Sequence, residues 1–125
     1  MTPMQDWHVL LVDDEPDSLQ MLHDFLAHQH IDVHRATGGR ECLELLKSFT
    51  PTLIVTDLSM PKPDGWDLLA QIRANPSMVS VPVIAITAYH SGELGRQAIE
   101  AGFSAYMPKP IKSNEFVQKI QELAQ

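Results

Sequence analysis

Polar side chains that could carry out chemistry stand at the ends of short apolar runs. They are Asp13 and Asp14 after HVLLV, Asp57 at the end of LIVTD, Thr87 at the end of VPVIAIT and Lys109 after SAYMP. If the three carboxylates share a small site, they repel one another unless a cation neutralises them. Mg²⁺ prefers oxygen ligands and is usually held by one or two carboxylates together with waters and phosphate oxygens. Zinc fits this set less well, because its usual His and Cys ligands are absent from it.

Five apolar runs, each typical of a strand, are needed to position these side chains. The runs cover residues 8–12, 32–36, 53–57, 81–87 and 104–108. Between them, apolar residues recur three or four positions apart, which predicts helices that begin near Pro16, Gly39 and Gly65, a fourth helix within 91–102 and a fifth from Ser113. Because the strands are almost continuously apolar, we predict an α/β fold: a doubly wound, five-stranded parallel sheet with helices on both faces.

In such sheets, ligands bind outside the carboxyl ends of the strands, near the point where the strand order reverses. We therefore expect the acids to meet at one rim, with Asp13 and Asp57 as direct metal ligands. A backbone carbonyl near Ser59 would be a third ligand, and Asp14 would bind directly or through a water. Any single one of these acids could instead cap a helix, but capping does not explain why they coincide with a Thr and a Lys at the same rim.

The composition narrows the class of protein. The 125 residues fit one domain, with residues 1–7 as an N-terminal tail and 8–125 as the folded unit. The formal net charge is −7 with nine Lys and Arg, so we expect no direct binding to nucleic acid. No stretch approaches the length needed to cross a bilayer, and the chain is expected to be cytoplasmic, without membrane contact. The single cysteine, Cys42, is predicted to be a small buried side chain.

Six histidines raise the question of a second metal site. His28, His30 and His34 cluster around the end of the first helix and the second strand. They occupy a region expected to be an exposed polar loop, and no acid or Cys completes a recognisable ligand set. We therefore predict no metal site there.

The acid pair of LVDDEPD, the Asp of VTDLSMPKPDG, the Thr of VIAITAY and the Lys-Pro of YMPKP resemble the receiver domain of bacterial two-component response regulators. The resemblance covers residues 8–124 and implies a flavodoxin-like strand order of 2-1-3-4-5. It also implies that Asp57 accepts a phosphoryl group with the help of Mg²⁺, Lys109 and Thr87. The donor would be a sensor histidine kinase or a phosphotransfer protein. The resemblance further implies that the peptide bond between Lys109 and Pro110 is cis.

The resemblance implies a switch as well. Thr87 would swing toward the phosphoryl group, and Tyr106 would rotate inward to fill the gap that the hydroxyl leaves. The surface formed by the fourth helix, fifth strand and fifth helix would then change and bind an unknown downstream protein. Both a monomer and a phosphorylation-dependent dimer are compatible with this surface.

Two alternatives remain beside the switch. The first is a receiver-like scaffold that works without phosphorylation, although the intact acids, Thr87 and Lys109 argue against it. The second is an aspartyl-phosphate phosphatase of the haloacid dehalogenase type, which places a second Asp two residues after the nucleophile. Here that position is Ser59, and a hydroxyl is a poor general base. We therefore expect a chain that catalyses only its own phosphorylation and slow dephosphorylation.

Overall fold

The computed structural model describes residues 3–89 and 91–124, in which five strands alternate with five helices. The strands are β1 (His8–Val12), β2 (Asp32–Ala36), β3 (Leu53–Asp57), β4 (Val83–Thr87) and β5 (Ala105–Pro108). The helices are α1 (Pro16–Ala27), α2 (Gly39–Leu46), α3 (Gly65–Ala74), α4 (Gly92–Ala101) and α5 (Ser113–Ala124). Among these helices, none combines the length and apolar character needed to cross a membrane.

The strands form one sheet in the order β2-β1-β3-β4-β5, and every pair is parallel. The predicted fold class and strand order are confirmed. After β2 the chain returns past β1 to build the other half of the sheet, so the order reverses between β1 and β3. The carboxyl ends of these two strands therefore frame the crevice where such folds bind ligands.

Alternate side chains along the strands point to opposite faces of the sheet and contribute to two separate hydrophobic cores. Val9 and Leu11 point to the face covered by α1 and α5. Leu10 and Val12 point to the face covered by α2, α3 and α4, where Cys42 is fully buried as predicted. Because both faces are covered, β3 and β4 are buried at every residue, which explains their continuous apolar character.

The fourth strand starts at Val83, two residues later than the apolar run predicts. Pro82 has no amide hydrogen for a strand ladder, and the Val81 carbonyl accepts a hydrogen bond of 2.7 Å from Arg73 Nη1. The fifth strand also starts one residue late, at Ala105. Pro82 and the Arg73 hydrogen bond thus account for the later start of β4.

Arg73, at the end of α3, joins three parts of the chain. Its Nη2 donates to the Gly102 carbonyl at 2.9 Å and its Nη1 donates to the Val79 and Val81 carbonyls. Gly102 closes α4 in the left-handed conformation, with φ of 118°. The end of α3, the approach to β4 and the end of α4 are thereby held together.

The segment predicted as a tail carries structure from Met4 onward. Residues Met4–Asp6 form a 3₁₀ turn, and Trp7 is 1% exposed within the core beneath α1 and α5. Met1 and Thr2 of the predicted tail lie outside the described residues. Burial of an indole of this size contributes to the stability of the domain.

Candidate functional site

Two aspartates and a lysine meet at the carboxyl ends of β1, β3 and β5. Asp13 follows β1 and is 0% exposed, and Asp57 ends the neighbouring β3 and is 3% exposed. Lys109 Nζ donates to Asp13 Oδ2 at 3.1 Å and to Asp57 Oδ2 at 3.0 Å. One ammonium group thus bridges two buried carboxylates that sequence places 44 residues apart.

Burial and neighbouring charges have opposite effects on the pKa values of Asp57 and Lys109. Burial raises the pKa of Asp57 and outweighs the stabilising effects of the Ser59 amide and the Lys109 ammonium on the carboxylate. For Lys109, burial alone would lower the pKa, but the hydrogen bond to Asp57 and the charges of Asp13 and Asp57 outweigh it and raise the pKa. The lysine is therefore firmly charged, yet one positive charge does not fully offset the buried acids.

Two further acids lie at the rim. Asp14 is exposed, and one of its carboxylate oxygens lies within 4.8 Å of carboxylate oxygens of Asp13 and Asp57. Glu15 Oε1 accepts from Lys109 Nζ at 3.2 Å, and the Glu15 amide donates to Asp13 Oδ1 at 3.0 Å. Sequence reasoning missed Glu15, although it is the third acid of the DDE run and could have been identified from that position.

The donor set suits Mg²⁺. Three carboxylate oxygens lie within 4.8 Å of one another, two of the carboxylates are buried, and hard oxygen ligands are those that Mg²⁺ prefers. Asp13, Asp57 and Asp14 are the side chains that would hold the ion. The Ser59 amide donates to Asp57 Oδ1 at 3.0 Å, so the Ser59 backbone lies beside the same carboxylate. Coordination by the Ser59 carbonyl stays a prediction.

A close backbone approach shapes the loop that follows Asp57. A Cβ atom on Gly65 would lie 2.5 Å from the Asp57 carbonyl oxygen and 2.8 Å from Leu58 Cα. The loop therefore folds back on the end of β3, and only a glycine fits at position 65, where the two backbone segments meet. Asp64 then caps α3, with reciprocal hydrogen bonds between Asp64 and Asp67 that fix where the loop ends.

Thr87 and Tyr106 are linked through one residue of the loop after β4. Thr87 is 0% exposed, and its Oγ1 accepts a hydrogen bond from the Tyr89 amide at 3.1 Å. The Tyr106 hydroxyl donates to the Tyr89 carbonyl at 3.1 Å. The Tyr89 backbone therefore connects the buried hydroxyl beside Asp57 to the aromatic ring on β5.

The Tyr106 ring also rests against α4. A Cβ atom built on Gly95 would lie 3.0 Å from Tyr106 Cδ2 and 3.1 Å from Tyr106 Cε2. A glycine in the interior of a helix lowers the stability of that helix by about 1 kcal/mol relative to alanine. In the fold, the missing side chain has a more specific effect, since it makes room for the aromatic ring.

The expectation that no acid accompanies the histidines is wrong. His34 does not group with His28 and His30 but lies beside Asp32 and His8, because β2 pairs with the start of β1. The acid, Asp32, lies two residues before His34 on β2, and the second imidazole, His8, is brought in from the adjacent strand β1.

The sequence matches the family model of the response regulator receiver domain over residues 9–121. The chain belongs to this family. It is 34% identical over 122 residues to an uncharacterized 14.6 kDa protein of Leptolyngbya boryana, covering 98% of this chain and 93% of that protein. It is 32% identical over 117 residues to the regulatory protein AtoC of Escherichia coli K12, covering 94% of this chain but 25% of AtoC. The receiver domain of Francisella response regulator 1452 is 28% identical, with a TM-score of 0.88, covering 95% and 97% of the two chains.

The receiver residues predicted from sequence fall into two connected groups. Asp13, Asp14, Asp57 and Lys109 come together at one rim, while Thr87 is joined to the Tyr106 ring through the loop after β4. The Lys109–Pro110 peptide bond is cis, as the receiver resemblance implies, and the Lys62–Pro63 bond is cis as well.

Proposed function

We propose that this receiver domain accepts a phosphoryl group on Asp57 from a sensor histidine kinase or a phosphotransfer protein, with Mg²⁺ as cofactor. The observation that carries the proposal is the Lys109 ammonium held between Asp13 and Asp57 at 3.1 and 3.0 Å. That geometry places a fixed positive charge where negative charge would build up during phosphoryl transfer. The proposed location is the cytoplasm, where phosphohistidine donors are formed from ATP.

The covalent step is a substitution at phosphorus. A carboxylate oxygen of Asp57 forms the new bond to phosphorus, the phosphorus–nitrogen bond of the donor phosphohistidine breaks, and the departing imidazole nitrogen takes up a proton. Lys109 keeps its contact with Asp13 and turns its remaining donors to the phosphoryl oxygens. When bound, Mg²⁺ supplies positive charge that offsets the carboxylates and the phosphoryl group.

The hydrogen bonds of Tyr89 offer a route from phosphorylation to the surface. The Thr87 hydroxyl accepts from the Tyr89 amide, so its own hydrogen remains to be donated to a phosphoryl oxygen. A rotation of Thr87 toward that oxygen breaks the bond to the Tyr89 amide. The Tyr89 backbone then moves, and the Tyr106 hydroxyl loses the acceptor that fixes its ring.

The surface that would respond is formed by α4, β5 and α5. A groove of about 440 Å³ already runs along it, bordered by Tyr106, Pro110 and Lys119. Rotation of Tyr106 changes one wall of this groove, which would alter its fit to a downstream protein. The same surface could join two copies of the chain after phosphorylation.

We infer that the chain is a switch and not a turnover phosphatase. The side chain two residues after Asp57 is Ser59, which cannot act as the proton carrier that an aspartate provides in such phosphatases.

The test uses acetyl phosphate and Mg²⁺ with the full chain, followed by intact-mass spectrometry over time. We expect a single phosphoryl adduct in the wild type and none in Asp57→Asn. Asp17→Asn, an exposed acid in the first turn of α1, is the matched control and should behave as the wild type does. A wild type that forms no adduct would support the scaffold, and rapid hydrolysis of acetyl phosphate without an adduct would support the phosphatase. Sedimentation before and after phosphorylation distinguishes a monomer from a dimer.

A further inference from the structure

A second group of potential metal ligands lies at the opposite end of the sheet from the carboxylate site. His8 is the first residue of β1, Asp32 is the first residue of β2, and the two are register partners. His34 lies two residues after Asp32 on the same strand, so both side chains point to the same face. Parallel pairing therefore places two imidazoles and one carboxylate next to one another.

The distances within this cluster are close to those between the ligands of one metal ion. Asp32 Oδ2 lies 2.8 Å from His8 Nδ1 and 3.2 Å from His34 Nε2, and the three ligand atoms lie within 4.8 Å of one another. Tetrahedral ligands at about 2.1 Å from zinc are separated by about 3.4 Å. The observed spacings approach that value, so modest rotations of exposed side chains would complete the geometry.

Hydrogen bonding alone leaves one member of the cluster unsatisfied. Among the described residues, His34 Nε2 is buried and has no hydrogen-bond partner, although it lies 3.2 Å from Asp32 Oδ2. The contact with Asp32 is too poorly aligned to count as a hydrogen bond, so it compensates the lost hydration of this ring nitrogen less than a well-aligned bond would. A metal ion shared with Asp32 and His8 would satisfy this nitrogen.

The surroundings fix the position of the second imidazole. The His34 ring packs against Phe49, just after α2, with ring centroids 4.4 Å apart. The His8 and His34 ring centroids are 5.8 Å apart. One ligand is thus held by packing, while His8 and Asp32 are half exposed and leave the site open to solvent.

We propose that His8, Asp32 and His34 bind a divalent transition-metal ion, with Zn²⁺ as the best match. Two imidazoles and one carboxylate suit Zn²⁺ better than Mg²⁺, which favours oxygen ligands only. Three protein ligands leave a fourth position for water or for a group from another molecule. The site is independent of phosphorylation, since it lies at the amino ends of the strands.

The test is calorimetric titration of chelator-treated, full-length protein with Zn²⁺ in excess Mg²⁺. We expect one Zn²⁺ per chain, and a loss of affinity of about 10-fold or more in His8→Gln and in His34→Gln. His28→Gln removes an exposed histidine outside the cluster and is the matched control, so its affinity should equal that of the wild type.

Two further measurements keep the outcome unambiguous. Circular dichroism establishes that each variant is folded, and Asp57→Asn should bind Zn²⁺ as the wild type does because the carboxylate site is not involved. The proposal is overturned if the folded wild type takes up no Zn²⁺, or if the affinity survives in both His8→Gln and His34→Gln. Neither result would affect phosphorylation of Asp57, which is measured separately.

Discussion

Replacement of Gly95 by alanine tests whether this residue makes room for the Tyr106 ring. In the interior of a helix, Gly→Ala stabilises a protein by about 1 kcal/mol. Here the new methyl group would lie 3.0 and 3.1 Å from two carbons of the ring, well inside the usual carbon–carbon separation of about 3.5–4.0 Å. The ring must therefore shift by a few tenths of an ångström.

That shift acts on a hydrogen bond. The Tyr106 hydroxyl donates to the Tyr89 carbonyl at 3.1 Å, and loss of such a bond costs about 0.5–1.5 kcal/mol. The helix gain and this loss nearly cancel, so Gly95→Ala should leave the free energy of unfolding almost unchanged. Gly92→Ala is the matched control in the same helix, because a Cβ atom there meets nothing within 4 Å.

Urea unfolding of a double-mutant cycle separates the two effects. In a Tyr106→Ala background the ring is gone, and Gly95→Ala should recover the full gain of about 1 kcal/mol. The expected coupling between the two positions is about 0.5–1.5 kcal/mol. A coupling below about 0.3 kcal/mol would refute the reasoning, since independent sites are additive within that range.

Two predictions concern charge at the phosphorylation site. Lys109→Met leaves Asp13 and Asp57 buried without the ammonium group that pairs with them. The free energy of unfolding, measured by urea denaturation at neutral pH, should therefore fall by about 3–5 kcal/mol. The loss should be smaller when Mg²⁺ is present. An equal loss with and without Mg²⁺ would contradict this. Because burial raises the pKa of Asp57, the folded state holds that proton more tightly than the unfolded state does. In chelator, the contribution of Asp57 to stability should therefore decline as pH rises from its ordinary value of 3.8 toward the raised folded value. Asp57→Asn should remove this decline, and identical pH profiles for the two proteins would show that the pKa is not raised.

Much of the fold could be predicted because one physical pattern repeats along the chain. Strands buried on both faces must be apolar at nearly every position, and a charged residue such as Asp57 marks the carboxyl end of β3 at the rim of the sheet. The same logic places Asp13 after β1. The grouping of these acids at one rim therefore follows from the sequence pattern alone.

Features that depend on strand register or on close packing could not be predicted in this way. His8 and Asp32 are 24 residues apart and meet only because β1 and β2 pair with their first residues aligned. The contact between Gly95 and the Tyr106 ring likewise depends on how closely α4 packs against β5. β4 starts two residues later than the apolar run predicts, partly because the Val81 carbonyl accepts a hydrogen bond from the side chain of Arg73 on α3, a contact that the strand pattern does not reveal.

The hydrogen bonds of Arg73 to Gly102 determine how α4 can move. They anchor only the carboxyl end of this helix, whereas Ser91 at the other end caps α4 through a local bond to Leu94. We therefore expect a displacement of α4 to be a tilt about Gly102 more than a translation. The 10 residues of α4 make a lever about 15 Å long, so a tilt of about 10° would carry Gly92 roughly 2.6 Å while leaving the pivot in place.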